Sequence, residues 1–146
     1  MPFAKAARFR HARPLALLVA VVCVGSACGG TSVGPSSVPT GVWGGDHITM
    51  MISDTSTHIE LDCAHGDLPS PLHVDARNQF DLMGTFVREH GGPIRQGEVP
   101  DSHPAMYAGS VASNSMTLII MQMDTNEVIG TFTLVRGTPG RVVKCL

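Results

Sequence analysis

Short runs in which apolar and polar residues alternate are the feature that most restricts how this chain can fold. Residues 48–52 and 58–63 place apolar side chains at every second position, and the polar cluster 53–56 separates the two runs. A period of two brings alternate side chains to the same side of an extended strand, so each run predicts a strand with one buried face. Together the two runs predict a β-hairpin.

The same pattern recurs along the rest of the chain and predicts an all-β domain. Further strands are expected within residues 72–74, 80–86, 107–111, 116–123, 128–136 and 141–146. Turn-forming residues separate these segments, and no helical periodicity interrupts them. This spacing predicts an antiparallel meander of about seven or eight strands closed into a small barrel, with a β-sandwich as the alternative.

One predicted strand, residues 117–123, is apolar on both faces. Leu118 and Ile120 share one face, and Ile119, Met121 and Met123 share the other. A strand of this kind is covered on both sides, or its second side lines a cavity or a partner interface. Filling of an irregular core by flexible methionines is the simpler interpretation.

The first 27 residues have the order of a secretory signal peptide. Four basic residues precede an uncharged apolar run of ten residues, 15–24, which leads into small residues. A membrane-spanning helix needs roughly 20 apolar residues, so this run is too short for a permanent span. The sequence therefore predicts export, with residues 1–27 removed as a signal peptide.

The residues at the predicted cleavage site resemble the lipobox of bacterial lipoproteins, whose cysteine is acylated. Gly25-Ser26-Ala27 directly precedes Cys28. The resemblance implies lipidation of Cys28 and anchoring in the bacterial cell envelope, with a secreted or periplasmic soluble protein as the alternative. Residues 28–40, rich in Gly, Ser and Pro, are then expected to form a flexible tether that leads to an all-β domain at 41–146.

Charge excludes one class of partner. The signal segment holds four of the ten Lys and Arg residues and none of the twelve Asp and Glu residues, so residues 28–146 carry a formal charge of −6. An acidic surface repels phosphate backbones, and we expect no nucleic-acid partner. Anionic lipid headgroups are disfavoured in the same way, so membrane contact is expected through the anchor only.

Cysteine usage predicts a disulfide. Cys63 and Cys145 remain after Cys23 leaves with the signal peptide and Cys28 is acylated. An even pair in an exported chain favours a disulfide, with two buried thiols as the alternative. A disulfide would also leave Cys63 without a free thiol, so Cys63 would not act as a nucleophile with His65 as its base.

The segment 89–104 is the longest predicted loop, and structureless loops of that length are often functional. The candidate functional residues are His90, Gly91, Gly92, Pro93, Arg95 and His103. A surface loop with no binding role is the alternative. Six histidines follow the signal segment, so a histidine-rich metal-binding domain is a third functional hypothesis. Their spacing matches no metal motif, and we predict no metal ligand and no cofactor.

The start of the all-β domain resembles a known family. Gly41-Val42-Trp43 is similar to the Gly-x-Trp motif in the first strand of lipocalins and related calycin barrels. The resemblance implies a small barrel in which a basic residue near the chain end, Arg136 or Arg141, packs across Trp43. Lipocalins also commonly link their C-terminal region to an earlier strand by a disulfide, which fits Cys63 and Cys145. Four other segments, residues 43–45, 62–66, 88–93 and 143–146, resemble segments of small exported bacterial proteins of unknown function.

The chain has no nucleophile elbow, P-loop or dinucleotide motif, and we predict no catalytic residue. The sequence predicts an exported, lipid-anchored β-barrel binding module that holds an unidentified ligand in a methionine-rich interior or at the long loop. The expected partner is a small apolar ligand or an envelope protein. A non-enzymatic structural or protein-interaction domain of the envelope is the alternative.

Overall fold

The computed structural model describes residues 36–145. The predicted signal peptide 1–27, the predicted lipidation site Cys28 and residues 29–35 lie outside the described residues. The described chain is all-β, as predicted. Its strands are β1 (Ser36–Ser37), β2 (Gly41–Gly45), β3 (Ile48–Ile52), β4 (Thr57–Leu61), β5 (Ala64–Leu68), β6 (His73–Val74), β7 (Gln79–Arg88), β8 (Asp101–Ala112), β9 (Ser115–Gln122) and β10 (Glu127–Arg136).

Eight of these strands form a closed antiparallel barrel in the order β10-β2-β3-β4-β5-β7-β8-β9. β10 pairs with β9 on one side and with β2 on the other, where Val135 lies opposite Gly44 and Arg136 opposite Trp43. The predicted small barrel is therefore confirmed, and the alternative of a β-sandwich is wrong. Closure removes the free strand edges that an open sheet would expose.

The predicted hairpin corresponds to β3 and β4, with Ile48 opposite Leu61 and Ile52 opposite Thr57. The alternation continues to Cys63, but the strand does not. Cys63 has a φ of 50°, a left-handed conformation that turns the chain directly into β5. The sequence pattern does not predict β5, because Gly66 and Asp67 lie at its centre.

The interior of the barrel is filled by side chains. Trp43 and Tyr107 are fully buried at its centre, surrounded by one apolar cluster contributed by all eight barrel strands. An eight-stranded barrel is just wide enough for its inward side chains to fill it. Of the methionines, Met50 and Met116 lie inside, whereas Met51 and Met83 are exposed. The interior is therefore an aliphatic and aromatic core and is not methionine-rich.

A two-stranded ribbon covers the barrel end at which β2 and β7 begin, which we call the ribbon end. β1 pairs with β6, and Val38, Leu72 and Val74 beside them are buried in the core cluster. Trp43 Nε1 donates a hydrogen bond to the carbonyl of Pro39 at 3.2 Å. Composition predicts that residues 36–40 belong to the flexible tether. They instead pack on the barrel, because Val38 supplies an apolar side chain that is buried in the core.

A polar network closes the opposite end, at which β7 ends and β8 begins, which we call the loop end. Arg88 Nη2 donates hydrogen bonds to Glu127 Oε2 at 2.6 Å and to Gln122 Oε1 at 3.2 Å. Gln122 is buried, and its amide nitrogen lies 3.0 Å from Asp124 Oδ1. Arg88 also lies over the Phe86 ring, 5.9 Å from its centroid. Both ends of the barrel are therefore occupied by the chain itself.

Residues 137–145, the C-terminal strap, run across the outside of the barrel. The Gly137 amide donates to the Val42 carbonyl, and the Arg141 amide donates to the Gly45 carbonyl. The strap ends at a disulfide between Cys145 and Cys63, whose Cα atoms are 5.0 Å apart. The predicted disulfide is confirmed. Gly44 is required where the strap crosses, since a Cβ there would meet the backbone of Thr138 and Gly140.

Gly66 and Tyr107 fit together inside the barrel. The Tyr107 hydroxyl donates a hydrogen bond to the Thr85 carbonyl at 2.7 Å, and a Cβ at Gly66 would collide with that hydroxyl. Burial raises the pKa of Tyr107, which keeps the phenol neutral and able to donate.

We expect Gly66→Ala to lower the free energy of unfolding by about 1–3 kcal/mol, because the added methyl overpacks the core. Urea unfolding measures this loss. Tyr107→Phe removes the colliding hydroxyl, so the double variant should be more stable than the sum of the two single changes predicts. Additive losses would show that Gly66 is not required by Tyr107.

Candidate functional site

A concavity of about 400 Å³ lies between the long loop and the outer surface of the barrel at the loop end. The loop spans residues 89–100 and joins β7 to β8. The volume falls within the range of about 300–1,000 Å³ that is typical of small-molecule sites. Apolar groups line it from Val87, Ile94, Val99 and Pro100, and polar groups from His65, Arg88, Glu89, His90, Glu98 and Asp101.

Hydrogen bonds within the loop hold the shape of this concavity. His90 Nε2 makes a short contact with Glu98 Oε1, and His90 Nδ1 lies 2.8 Å from the Gly91 carbonyl. The other Glu98 carboxylate oxygen accepts a hydrogen bond from the Arg95 amide at 2.8 Å. His90 and Glu98 thus tie the two ends of the loop together. Gly92 has a φ of 87°, a conformation that glycine adopts without strain.

Ile94 and Val99 are the most exposed large apolar residues of the described chain, each with 84% of its surface accessible. Both line the concavity, together with the predicted loop residues His90 and Gly92. Ile94 and Val99 are not among the site residues predicted from the sequence. Their signal was present, since they are aliphatic residues in an otherwise polar loop.

Three of the other predicted loop residues, Gly91, Pro93 and Arg95, line a second concavity, which shares His90 and Glu98 with the first. His103 is different. It belongs to β8 and not to the loop, because the strand begins at Asp101. The prolines and glycines of residues 89–104 correctly predict a loop, but the loop ends at residue 100 and not at residue 104.

His103 lies between two carboxylates at the loop end. Its Nδ1 is 2.7 Å from Asp124 Oδ2, and its Nε2 is 2.8 Å from Asp101 Oδ1. Only the imidazolium carries a proton on both ring nitrogens, so this geometry requires the charged form. The hydrogen bonds to Asp124 and then to Asp101 accordingly raise the pKa of His103 above its ordinary value of 6.5.

His58 has the same arrangement on the outer surface of β4. Its Nδ1 lies 2.7 Å from Asp67 Oδ1 and its Nε2 lies 2.8 Å from Glu60 Oε1. These bonds, first to Asp67 and then to Glu60, raise the pKa of His58. The pKa of His90 is raised as well, first by the Gly91 carbonyl and then by Glu98.

Lys144 of the C-terminal strap connects this surface to the loop. Its ammonium pairs with Glu60 and lies 3.0 Å from Glu89 Oε2, while the other Glu89 oxygen lies 2.7 Å from His65 Nδ1. Burial tends to raise the pKa of Glu89, but the hydrogen bonds from His65 and Lys144 outweigh it and lower the pKa. Glu89, at the start of the loop, is therefore a fixed anion.

The lipocalin resemblance implies that Arg136 or Arg141 packs across the buried Trp43. Arg136 lies directly opposite Trp43 in the pairing of β10 with β2. Arg141 instead forms an ion pair with Asp46, with Nη2 2.8 Å from Oδ1. Packing of the Arg136 guanidinium on the indole stays a prediction.

Five histidines of the described residues, His47, His58, His65, His90 and His103, pair with carboxylates. Among residues 36–145 no group of three or more His, Cys, Asp or Glu side chains is arranged to hold a metal ion. None of residues 36–145 belongs to a helix long and apolar enough to span a membrane.

Comparison of the chain with protein-family models, characterised proteins and solved structures finds no match. The fold and the site define a class of protein: a small, disulfide-linked, closed eight-stranded antiparallel β-barrel module. The lipocalin resemblance agrees with this barrel. The barrel interior, however, has the packed core described above.

The three histidines whose two ring nitrogens both form hydrogen bonds predict how the stability of the fold depends on pH. Folding raises the pKa values of His58, His90 and His103 above 6.5, so the stability that they contribute is complete below pH 6.5. It is lost as the pH rises through the folded-state pKa values. We therefore expect the melting temperature to fall as the pH is raised above 6.5.

His103→Gln should lower the melting temperature below pH 6.5 and reduce its decline at higher pH. His73→Gln is the control, because the His73 ring contacts the neutral hydroxyl of Ser37. Melting curves followed by circular dichroism measure both effects. An unchanged pH profile in His103→Gln would contradict the charged state assigned to His103.

Proposed function

We propose that this protein is an exported, lipid-anchored binding module that takes a small apolar ligand at the loop concavity. The observation that carries the proposal is the pair of aliphatic side chains, Ile94 and Val99, that stand almost fully exposed beside a concavity of about 400 Å³. Exposed apolar groups in a concave site are typical of ligand binding.

The filled interior supports a site on the outside of the barrel. Trp43 and Tyr107 occupy the centre, the ribbon covers one end and Arg88 closes the other. An apolar ligand would have to displace this core to enter, whereas the loop concavity is open to solvent. Burying the two exposed aliphatic side chains against a ligand is favourable by about 25 cal/mol for each Å² removed from water.

The polar rim of the concavity is organised without the ligand. Glu89 and Glu98 are held by Lys144 and by His90, respectively. Fixed side chains lose little conformational freedom on binding, so they orient a ligand at low entropic cost. The apolar wall then supplies affinity, and the rim limits which molecules fit.

Binding is tested with the neutral apolar fluorophore N-phenylnaphthylamine. We expect the wild-type protein to bind it with saturable enhancement of fluorescence. Replacing both Ile94 and Val99 by serine should weaken binding about tenfold or more, since the hydrophobic contribution of two side chains is lost.

Val143→Ser is the matched control, because Val143 is also exposed but lies on the C-terminal strap. It should bind the fluorophore as wild type does. Equal affinity in the double variant and wild type, or an equal loss in Val143→Ser, would contradict a site at the loop.

The anchor is a separate part of the proposal and rests on the order of basic, apolar and small residues before Cys28. Cys28→Ala should move the protein from the membrane fraction to the soluble fraction, because the acylated thiol is lost. Cys23→Ala, within the predicted signal peptide, should leave the distribution unchanged. An unchanged membrane fraction in Cys28→Ala would show that Cys28 is not the anchor.

A further inference from the structure

The outer surface formed by residues 102–112 of β8, by β9 and by residues 128–135 of β10, which we call the neutral face, has no Lys, Arg, Asp or Glu side chain. His103 shares the side of β8 on which Ala105 and Tyr107 are buried, so it does not belong to this face. No Lys, Arg, Asp or Glu occurs from Ser102 to Gln122 or from Val128 to Val135. All six basic and twelve acidic residues of segment 28–146 lie outside these two stretches. In β8 and β10 the charged residues Asp101, Glu127 and Arg136 stand only at the strand ends, so the middle of this three-stranded surface is uncharged.

Apolar side chains are aligned across the neutral face. Met106 lies opposite Met121, and Met121 lies opposite Val128, so these three form a row across neighbouring strands. Met83 of β7 lies opposite Met106 and extends the row. Side chains paired in this way lie on the same side of a sheet. Alternate residues point inwards, and therefore the row points to solvent.

The two ends of this row are exposed, and Met106 and Met121 between them are partly buried. Val128 is 59% and Met83 is 54% accessible, and Ile119 beside them is 40% accessible. This is the outer side of the strand that is apolar on both faces. Its inner side, with Leu118 and Ile120, is fully buried in the core. Clustered exposed apolar groups indicate an interaction surface.

We propose that the neutral face is the contact of a homodimer, with a second copy of this chain as its occupant. A two-fold interface brings the same surface of each copy together, so the surface must be complementary to itself. The neutral face meets this condition because it sets no like charges against each other. Elsewhere, the net negative charge of each copy repels the other.

The size of the face fits a reversible dimer. Strands of about ten residues, at about 3.3 Å per residue and about 4.8 Å between strands, give a flat area of roughly 500 Å². Stable complexes bury about 800 Å² on each partner. The contact is thus expected to be weak and concentration-dependent. It involves a different surface from the loop concavity and does not depend on ligand binding there.

Sedimentation equilibrium in detergent-free buffer tests the proposal, with the Cys28→Ala chain or with wild type if that is already soluble. We expect reversible dimers whose dissociation constant does not rise with salt, since no ion pair forms across the neutral face. Val128→Asp and Ile119→Asp should each raise the dissociation constant at least tenfold, because each places two like charges in the contact.

Val143→Asp is the matched control, since Val143 is an exposed valine outside the neutral face. It should dimerise as the parent chain does, and melting curves of all variants verify folding. A monomer at every accessible concentration would overturn the proposal, as would dimers that survive both changes on the face. Binding of the monomer to phosphatidylcholine vesicles, abolished by Val128→Asp, would assign the face to lipid and also overturn it.

Discussion

The short seam between β10 and β2 is the contact on which the rest of the structure depends. Two residue pairs, Val135 with Gly44 and Arg136 with Trp43, close the barrel. Beyond them the C-terminal strap continues the contact, with backbone hydrogen bonds to Val42 and Gly45, and the disulfide fixes its end at Cys63. A seam of so few pairs is weak by itself. The strap and the covalent bond stabilise it, because they restrict how far β10 can move from β2.

The two proposed functional surfaces lie on the outside of the barrel. An eight-stranded barrel can be filled by its inward side chains or can hold one small ligand, and here buried side chains such as Trp43 and Tyr107 fill the interior. The outer surfaces on which the proposals rest are the loop concavity, with a polar rim and an aliphatic wall, and the neutral face of β8 to β10. The two surfaces differ in chemistry. Fixed charges surround the concavity, whereas the neutral face has none, and for this reason we propose an oriented small molecule at the first and self-association at the second.

The hydrogen-bond partners of the histidines depend largely on the fold. The number of histidines suggested a metal site. In the structure, His58 and His103 each place one ring nitrogen against a carboxylate two residues away on the same strand and the other against a carboxylate on a neighbouring strand or turn. Such pairs hold the imidazolium and neutralise part of the acidic charge. The second partner depends on strand register, which one residue of slippage would change completely, so sequence spacing predicts only the first.

The sequence by itself determined the all-β class, because a period of two over many short segments buries its apolar faces only in sheets, either packed face to face or closed into a barrel. It also predicted the disulfide between Cys63 and Cys145 and the position of the long loop. The tertiary structure alone decided that the sheet closes, that β5 forms despite Gly66, and that Val38 belongs to the core. It also decided which side of the doubly apolar strand faces solvent. Each of these depends on contacts between residues far apart in the chain, and local pattern contains no information about such contacts.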